Sequence, residues 1–181
     1  MTVPPYVVGA TLLLIFAYSS DHFRERALHI LVGLSLVIIG LILAFSLPLE
    51  NSSARYGGII ILLSGTFIAA PITVAWLAGN TPEPGKRAIV LGINGWGNLG
   101  GIIGSELFLA KYGPDYVWPL KVTTGLIAVA FVGYAAYYFE LKMWNRYKAK
   151  KIANMTPEEI EDENTNDVRY SDKKWTFVYG V

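Results

Sequence analysis

Residues 92–108 read GINGWGNLGGIIGSELF, and the six from Gly95 to Gly100 fit G-x-G-x-x-G. That glycine pattern lets a backbone close on a pyrophosphate at the start of a helix. The preceding AIVL could pass for a strand, and Asp115 lies twenty positions after Gly95, where a ribose-binding acid would stand. The rest of the unit is missing. A dinucleotide fold needs strand, turn, helix and a second strand that ends in the acid. A helix through these glycines runs to about Tyr112, and only Gly113 and Pro114 then precede Asp115. No second strand fits, so the pattern is read as a coincidence.

Other chemistry is as sparse. The chain has no cysteine and two histidines, His22 and His29, so neither a disulfide framework nor a His-rich metal site is expected. No cofactor, metal or nucleic acid is expected as a partner. An intramembrane enzyme would want paired acids, a His cluster or an activated nucleophile at membrane depth, and the spans hold none. What remains is a polar stripe. On a helix turning about 100° per residue, Asn94, Asn98 and Ser105 fall within about 40° of one another. Side-chain amides in hydrocarbon are costly unless they face a partner or a wet cavity. Two readings stay open: bonds to a neighbouring helix, or the lining of a substrate pathway. Glu106 falls off the stripe and reads as a rim group, with a proton-responsive carboxylate as the alternative. Beside the stripe, Gly97, Gly100, Gly101 and Gly104 share a face as two overlapping GxxxG pairs, a pattern that lets helices approach closely in lipid.

The elements that carry these residues must be membrane helices. The 181 residues are 53% hydrophobic and 16% charged, against about 25% charged in a soluble domain. Between Leu28 and Gly85 the charged residues are Glu50, Arg55 and Glu83. A bilayer-crossing helix needs about 20 apolar residues. Five spans approach or meet that: 3–19, 29–47, 57–77 with Pro71 inside, 88–110 and 122–141. A soluble bundle would show polar stripes, and LVGLSLVIIGLILAF offers only Ser and Gly. The expected class is an all-α membrane protein with five transmembrane helices. The N-terminus lacks the basic region of a signal peptide.

Positive charge orients the bundle. One loop face carries nine cations, Arg24, Arg26, Lys86, Arg87, Lys142, Arg146, Lys148, Lys150 and Lys151; the other carries Arg55, Lys111 and Lys121. The C-terminal tail, 149–181, is therefore expected in the cytoplasm. Thr156-Pro157-Glu158-Glu159 is a capping box that predicts a short helix over 157–163. From Asn164 the tail reads as polar and disordered, either solvated throughout or with WTFVY as a docking motif.

The loop AYSSDHFRERA resembles the cytoplasmic-loop motif of the major facilitator superfamily, roughly G-x-x-[SA]-D-R-x-x-x-R. Asp21 matches the acid, and Arg24 and Arg26 the basic arm; His22 replaces the usual Arg, so a plain basic loop is the alternative. The order of features widens the likeness. TVPPYVV, the Asp21 loop, Trp76 and Asn80, Lys86-Arg87-Ala88, then Asn94 and Gly97-Asn98-Leu99-Gly100-Gly101-Ile102-Ile103-Gly104-Ser105 resemble the C-terminal half of fungal anion:cation symporters, the allantoate, nicotinate and pantothenate permease-like group. The resemblance covers about Val3 to Lys148 and makes the spans helices eight to twelve.

It implies proton-coupled uptake of a small organic anion across the plasma membrane by alternating access. Asn94 and Asn98 would face the central cavity. Trp76 and Asn80 would serve an inner gate or helix-end packing; Lys86 and Arg87 would sit at the inner mouth or serve topology alone. Such transporters have twelve helices, so this chain is expected to be a C-terminal portion that does not transport alone and needs the N-terminal half or a homologue. The alternative is a truncated, non-transporting membrane protein that assembles with a full-length homologue.

Overall fold

The computed structural model describes residues 3–166 and 170–181. Among these every regular element is helical. Helix α1 spans Val3–Phe23, with Pro4 and Pro5 in its first turn, where a missing N–H leaves no bond unmade. It stops where Arg24 takes a left-handed conformation at φ 56°. Helix α2 spans Arg26–Ser46 and α3 spans Ser52–Gly79. Pro71 sits inside α3 and withholds the N–H that would bond the carbonyl of Phe67.

The fourth expected span is divided. Helix α4 covers Pro84–Gly95, a 3₁₀ turn covers Trp96–Leu99, and α5 covers Gly100–Leu107. The joints stay right-handed helical, so the rod is tightened rather than broken. Glycine is the poorest helix former after proline, and Gly92, Gly95, Gly97, Gly100 and Gly101 crowd this stretch. Neither α4 nor α5 is long enough to cross a bilayer as one helix. Among the described residues four helices are: α1, α2, α3 and the long α6, Val117–Ile152. The expectation of five equivalent spans is corrected to four long helices and one segmented rod.

The packing centres on α2 and α3. Gly33 and Gly40 of α2 face Gly65 and Gly58 of the antiparallel α3. A Cβ on Gly40 would stand 2.6 Å from the amide nitrogen of Leu62 and 2.7 Å from the carbonyl oxygen of Gly58. A Cβ on Gly65 would strike the Gly33 carbonyl and lie 2.7 Å from the amide nitrogen of Val37. Here the two backbones touch, and only glycine fits. Around this seam Ile30, Leu34, Ile68, Ile72 and Trp76 are buried, and Tyr138 and Leu141 of α6 close the core. Phe16 and Leu12 of α1 pack from the other side.

Helix α6 has 36 residues, about 54 Å at 1.5 Å per residue. A hydrocarbon core is about 30 Å thick, so both ends of α6 project. Helix α7, Pro157–Thr165, opens on the expected capping box: the Glu159 amide donates to Thr156 Oγ1 at 3.3 Å, and the Thr156 amide donates to Glu159 Oε2 at 2.7 Å. Of the stretch from Asn164 read as disordered, residues 167–169 lie outside the described residues. Residues 170–181 lie against the bundle end formed by the α1–α2 loop, the α3–α4 loop and the end of α6.

Candidate functional site

The sequence-singled residues fall into two groups that the fold separates. The first lines a cavity of about 740 Å³ between α2, α3, α4 and α6. Asn94, Gly95, Gly97 and Asn98 form one wall; Thr66, Pro71 and Thr73 of α3 and Tyr134 of α6 stand on others. Among the described residues neither asparagine amide hydrogen-bonds to another protein group, and both are exposed to the cavity side of a thinly packed helix. Tyr134 Oη donates to Thr73 Oγ1 at 3.2 Å, and Thr73 in turn donates to the carbonyl of Ala69 at 2.8 Å. The lining thus adds a tyrosine and a threonine to the asparagines, which sequence reasoning missed. A Thr and a Tyr 61 residues apart, in different spans, carry no local pattern; the packing of both α3 and α6 on α2 brings them together.

Ser105 is not part of this wall. Its hydroxyl turns back to the Ile102 carbonyl at 2.7 Å, and it lies one helical segment further on, in α5. The 3₁₀ turn changes the angular step, so the 100° wheel does not carry across it. The four glycines proposed for packing lie on an open face: a Cβ at Gly97, Gly100, Gly101 or Gly104 would meet no atom within 4 Å.

The second group gathers at the tail face. Asp21 pairs with Arg26 at 3.1 Å, and Arg26 also donates to the Ala75 carbonyl at 2.9 Å, tying the first loop to the end of α3. Arg24 lines a small cleft with Asp21, Trp76, Asn80 and Gly180. Arg87 caps its own loop, donating to the carbonyls of Thr81 and Pro82. Trp76 and Asn80 do not point into the 740 Å³ cavity. The Trp76 Nε1–H donates to the Gly180 carbonyl at 2.7 Å. Asn80 donates to the same carbonyl at 3.0 Å and accepts from the Gly180 amide at 2.7 Å. Lys86 pairs with Asp172 at 2.7 Å and lies 3.8 Å over the Tyr170 ring.

Electrostatics follow from these bonds. The hydroxyl of Ser171 donates to Glu83 Oε1 at 2.6 Å and its amide at 3.0 Å, which holds the Glu83 carboxyl below the usual glutamate range. Burial against the bundle pushes the Tyr179 phenol up. Among the described residues no cluster of His, Asp and Glu could hold a metal ion.

Four long apolar helices, a core of apolar side chains and glycine-to-backbone seams define an integral membrane helical bundle. Comparison with curated proteins narrows the class. The chain is 34% identical over 152 residues to a major facilitator-type transporter of Emericella nidulans, covering 83% of this chain and 31% of the relative. It is 33% identical to an MFS-type transporter of Hormonema carpetanum, covering 98% of this chain and 36% of that one. It is 32% identical to the high-affinity nicotinic acid transporter of Saccharomyces cerevisiae, covering 99% of this chain and 33% of that one. The chain belongs to the major facilitator superfamily and matches a C-terminal half of such a transporter. It spans about a third of the length of these relatives. No family model matches the sequence, and no solved structure matches it.

Proposed function

We propose that this chain forms the C-terminal part of a secondary transporter that takes up a small organic anion together with a proton, by alternating access. The observation that carries the reading is the cavity that Asn94 and Asn98 line with Thr73 and Tyr134 inside an otherwise apolar bundle. The asparagine amides are uncharged donors at membrane depth, which suit a carboxylate or a carbonyl without the cost of a buried charge, while the Tyr134 and Thr73 hydroxyl hydrogens are engaged within the bundle. The similarity to a nicotinic acid transporter agrees with a small aromatic or heterocyclic acid as cargo. The tail face, with its nine cations, is the cytoplasmic one, and the plasma membrane is the site of action. The work is transport rather than catalysis.

The cavity is one wall of the pathway, and the activity belongs to the complete transporter. Labelled nicotinate uptake in cells that lack their own carrier tests this. The 181-residue chain alone is expected to give no saturable uptake. Joined to the preceding portion of a relative, it is expected to restore uptake, and Asn94→Ala with Asn98→Ala to reduce it by about ten-fold or more. Saturable uptake by the short chain alone, or full uptake with both asparagines replaced, would refute the reading. A second reading, a truncated protein that assembles with a full-length homologue, is favoured by the open glycine face of α4 and α5. Co-purification with that homologue, and its loss on Gly101→Leu, would support it.

A further inference from the structure

Residues 170–181 bond to α2, α3, α6 and the start of α4 at one end of the bundle. Trp76 and Asn80 grip Gly180 from α3. The Arg26 amide, at the start of α2, donates to the Val181 carbonyl at 3.0 Å. Asn145 of α6 bonds Tyr179 as one strand bonds another: its amide donates to the Tyr179 carbonyl at 2.8 Å and its oxygen accepts from the Tyr179 N–H at 2.9 Å. Lys148 is buried and donates to the carbonyls of Asp172 and Phe177. Glu83 and Lys86, at the start of α4, hold Ser171 and Asp172. Most of these bonds go to tail backbone, so they recognise an extended path rather than particular side chains.

Tail residues Asp172, Trp175 and Tyr179 also help line a second cavity, of about 680 Å³, with Lys86 and Val90 of α4 and Tyr137 of α6. Helix α4 has no buried residue and is scarcely packed on α3. Its contacts to the tail therefore do much of the holding at this end.

We propose that residues 170–181 form a detachable clasp that closes this end of the bundle by tying α4 to α3 and α6, with Trp76, Asn80 and Asn145 as its docking residues. When the clasp is on, the 680 Å³ cavity is roofed and α4 is fixed at its first turn. When it is off, α4 is free to swing from α6 and the cavity opens. The inference stands on contacts within this chain and does not depend on the transport reading or its substrate.

The absence of cysteine gives a clean background for the test. The full chain is placed in lipid nanodiscs, where both faces are accessible. A short bis-maleimide reports docking through Glu83→Cys with Ser171→Cys. A monofunctional maleimide reports the roof, separately, through Val90→Cys. The pair at 83 and 171 is expected to cross-link readily. Asn80→Ala with Asn145→Ala is expected to slow that reaction about ten-fold and to speed labelling at position 90 by a similar factor. Trp76→Phe, which keeps the ring and removes the donor, is expected to act in the same direction. Unchanged cross-linking in a variant with unaltered helical content and melting would overturn docking through these residues. Loss of cross-linking with unchanged labelling at position 90 would overturn the closing role. Failure of the pair to cross-link in a folded, monodisperse protein would overturn the clasp itself.

Discussion

Two glycine-rich regions of this molecule meet opposite fates. Along the α2–α3 seam, Gly33 and Gly40 press against Gly65 and Gly58; a Cβ on Gly40 or Gly65 would collide with backbone, and one on Gly33 or Gly58 would be tightly crowded. Along α4 and α5, Gly97, Gly100, Gly101 and Gly104 meet no atom at all. The two sets differ in spacing. Each seam pair lies seven residues apart, on two antiparallel helices, which is the repeat of a shallow left-handed crossing. The α4–α5 pairs lie four apart, the spacing of steeper right-handed contacts, and no second helix of this chain carries a matching set. A small-residue face is half of an interface. Whether it is used depends on the residues that oppose it.

The comparison can be broken most sharply at the seam. Gly65→Ala or Gly40→Ala is expected to cost about 1–3 kcal/mol or more, because the obstructing atoms are backbone and cannot rotate away. Thermal unfolding in detergent, followed by helical circular dichroism, would measure it. Equal stability of wild type and Gly40→Ala would mean that the helices do not approach as described. The same substitution at Gly101 is expected to do the reverse. With nothing within 4 Å, Ala should stabilise this chain by about 0.5–1 kcal/mol through helix propensity alone. A large loss there would reveal a partner on that face.

A smaller effect concerns what holds α4 in place of glycine packing. Glu83 is held ionised by Ser171, with Lys86 beside it favouring the charge and Asp172 opposing it. A carboxyl with a lowered value stabilises the docked state fully above the ordinary glutamate range. That contribution is lost as pH falls through the lowered value. Amide exchange at Ser171 is therefore expected to be slow at neutral pH and to lose its excess protection in acid, after correction for intrinsic rates. Glu83→Gln should weaken the protection at neutral pH and remove most of its pH dependence.

Much of the fold was legible because hydrophobic length is a strong signal. LVGLSLVIIGLILAF leaves no choice but a buried or lipid-facing helix, and α2 runs through it. The capping box at Thr156 is a local pattern with a local consequence, and it formed. Three features escaped the sequence reading. The 3₁₀ turn at Trp96–Leu99 interrupts a span that hydropathy alone reads as uniform. The seam glycines were visible as a matched seven-residue spacing in neighbouring spans, a signal overshadowed by the denser glycines near residue 100. The docking of the tail was hidden because its partners are backbone groups: Trp76 and Asn80 bond the carbonyl and amide of Gly180, a residue without a side chain to read. Of the site, Asn94 and Asn98 could be singled out from one helix, whereas Thr73 and Tyr134 required two that pack together on α2.

The length of α6 gives the tail a mechanical meaning. If residues 122–141 fill the hydrocarbon, the eleven that follow to Ile152 stand about 16 Å clear of it. Asn145 and Lys148 ride on that projecting arm. Transmembrane helices tilt by tens of degrees to suit bilayer thickness and neighbours. A tilt of α6 by about 10° would sweep the end of a 16 Å arm by about 3 Å, which is the length of a hydrogen bond. The arm is a lever: the same tilt would move Asn145, about 6 Å along it, by about 1 Å and Lys148, about 10 Å along it, by about 2 Å, so bilayer thickness itself becomes a force on the bonds to Tyr179 and Phe177 in the last dozen residues of the sequence.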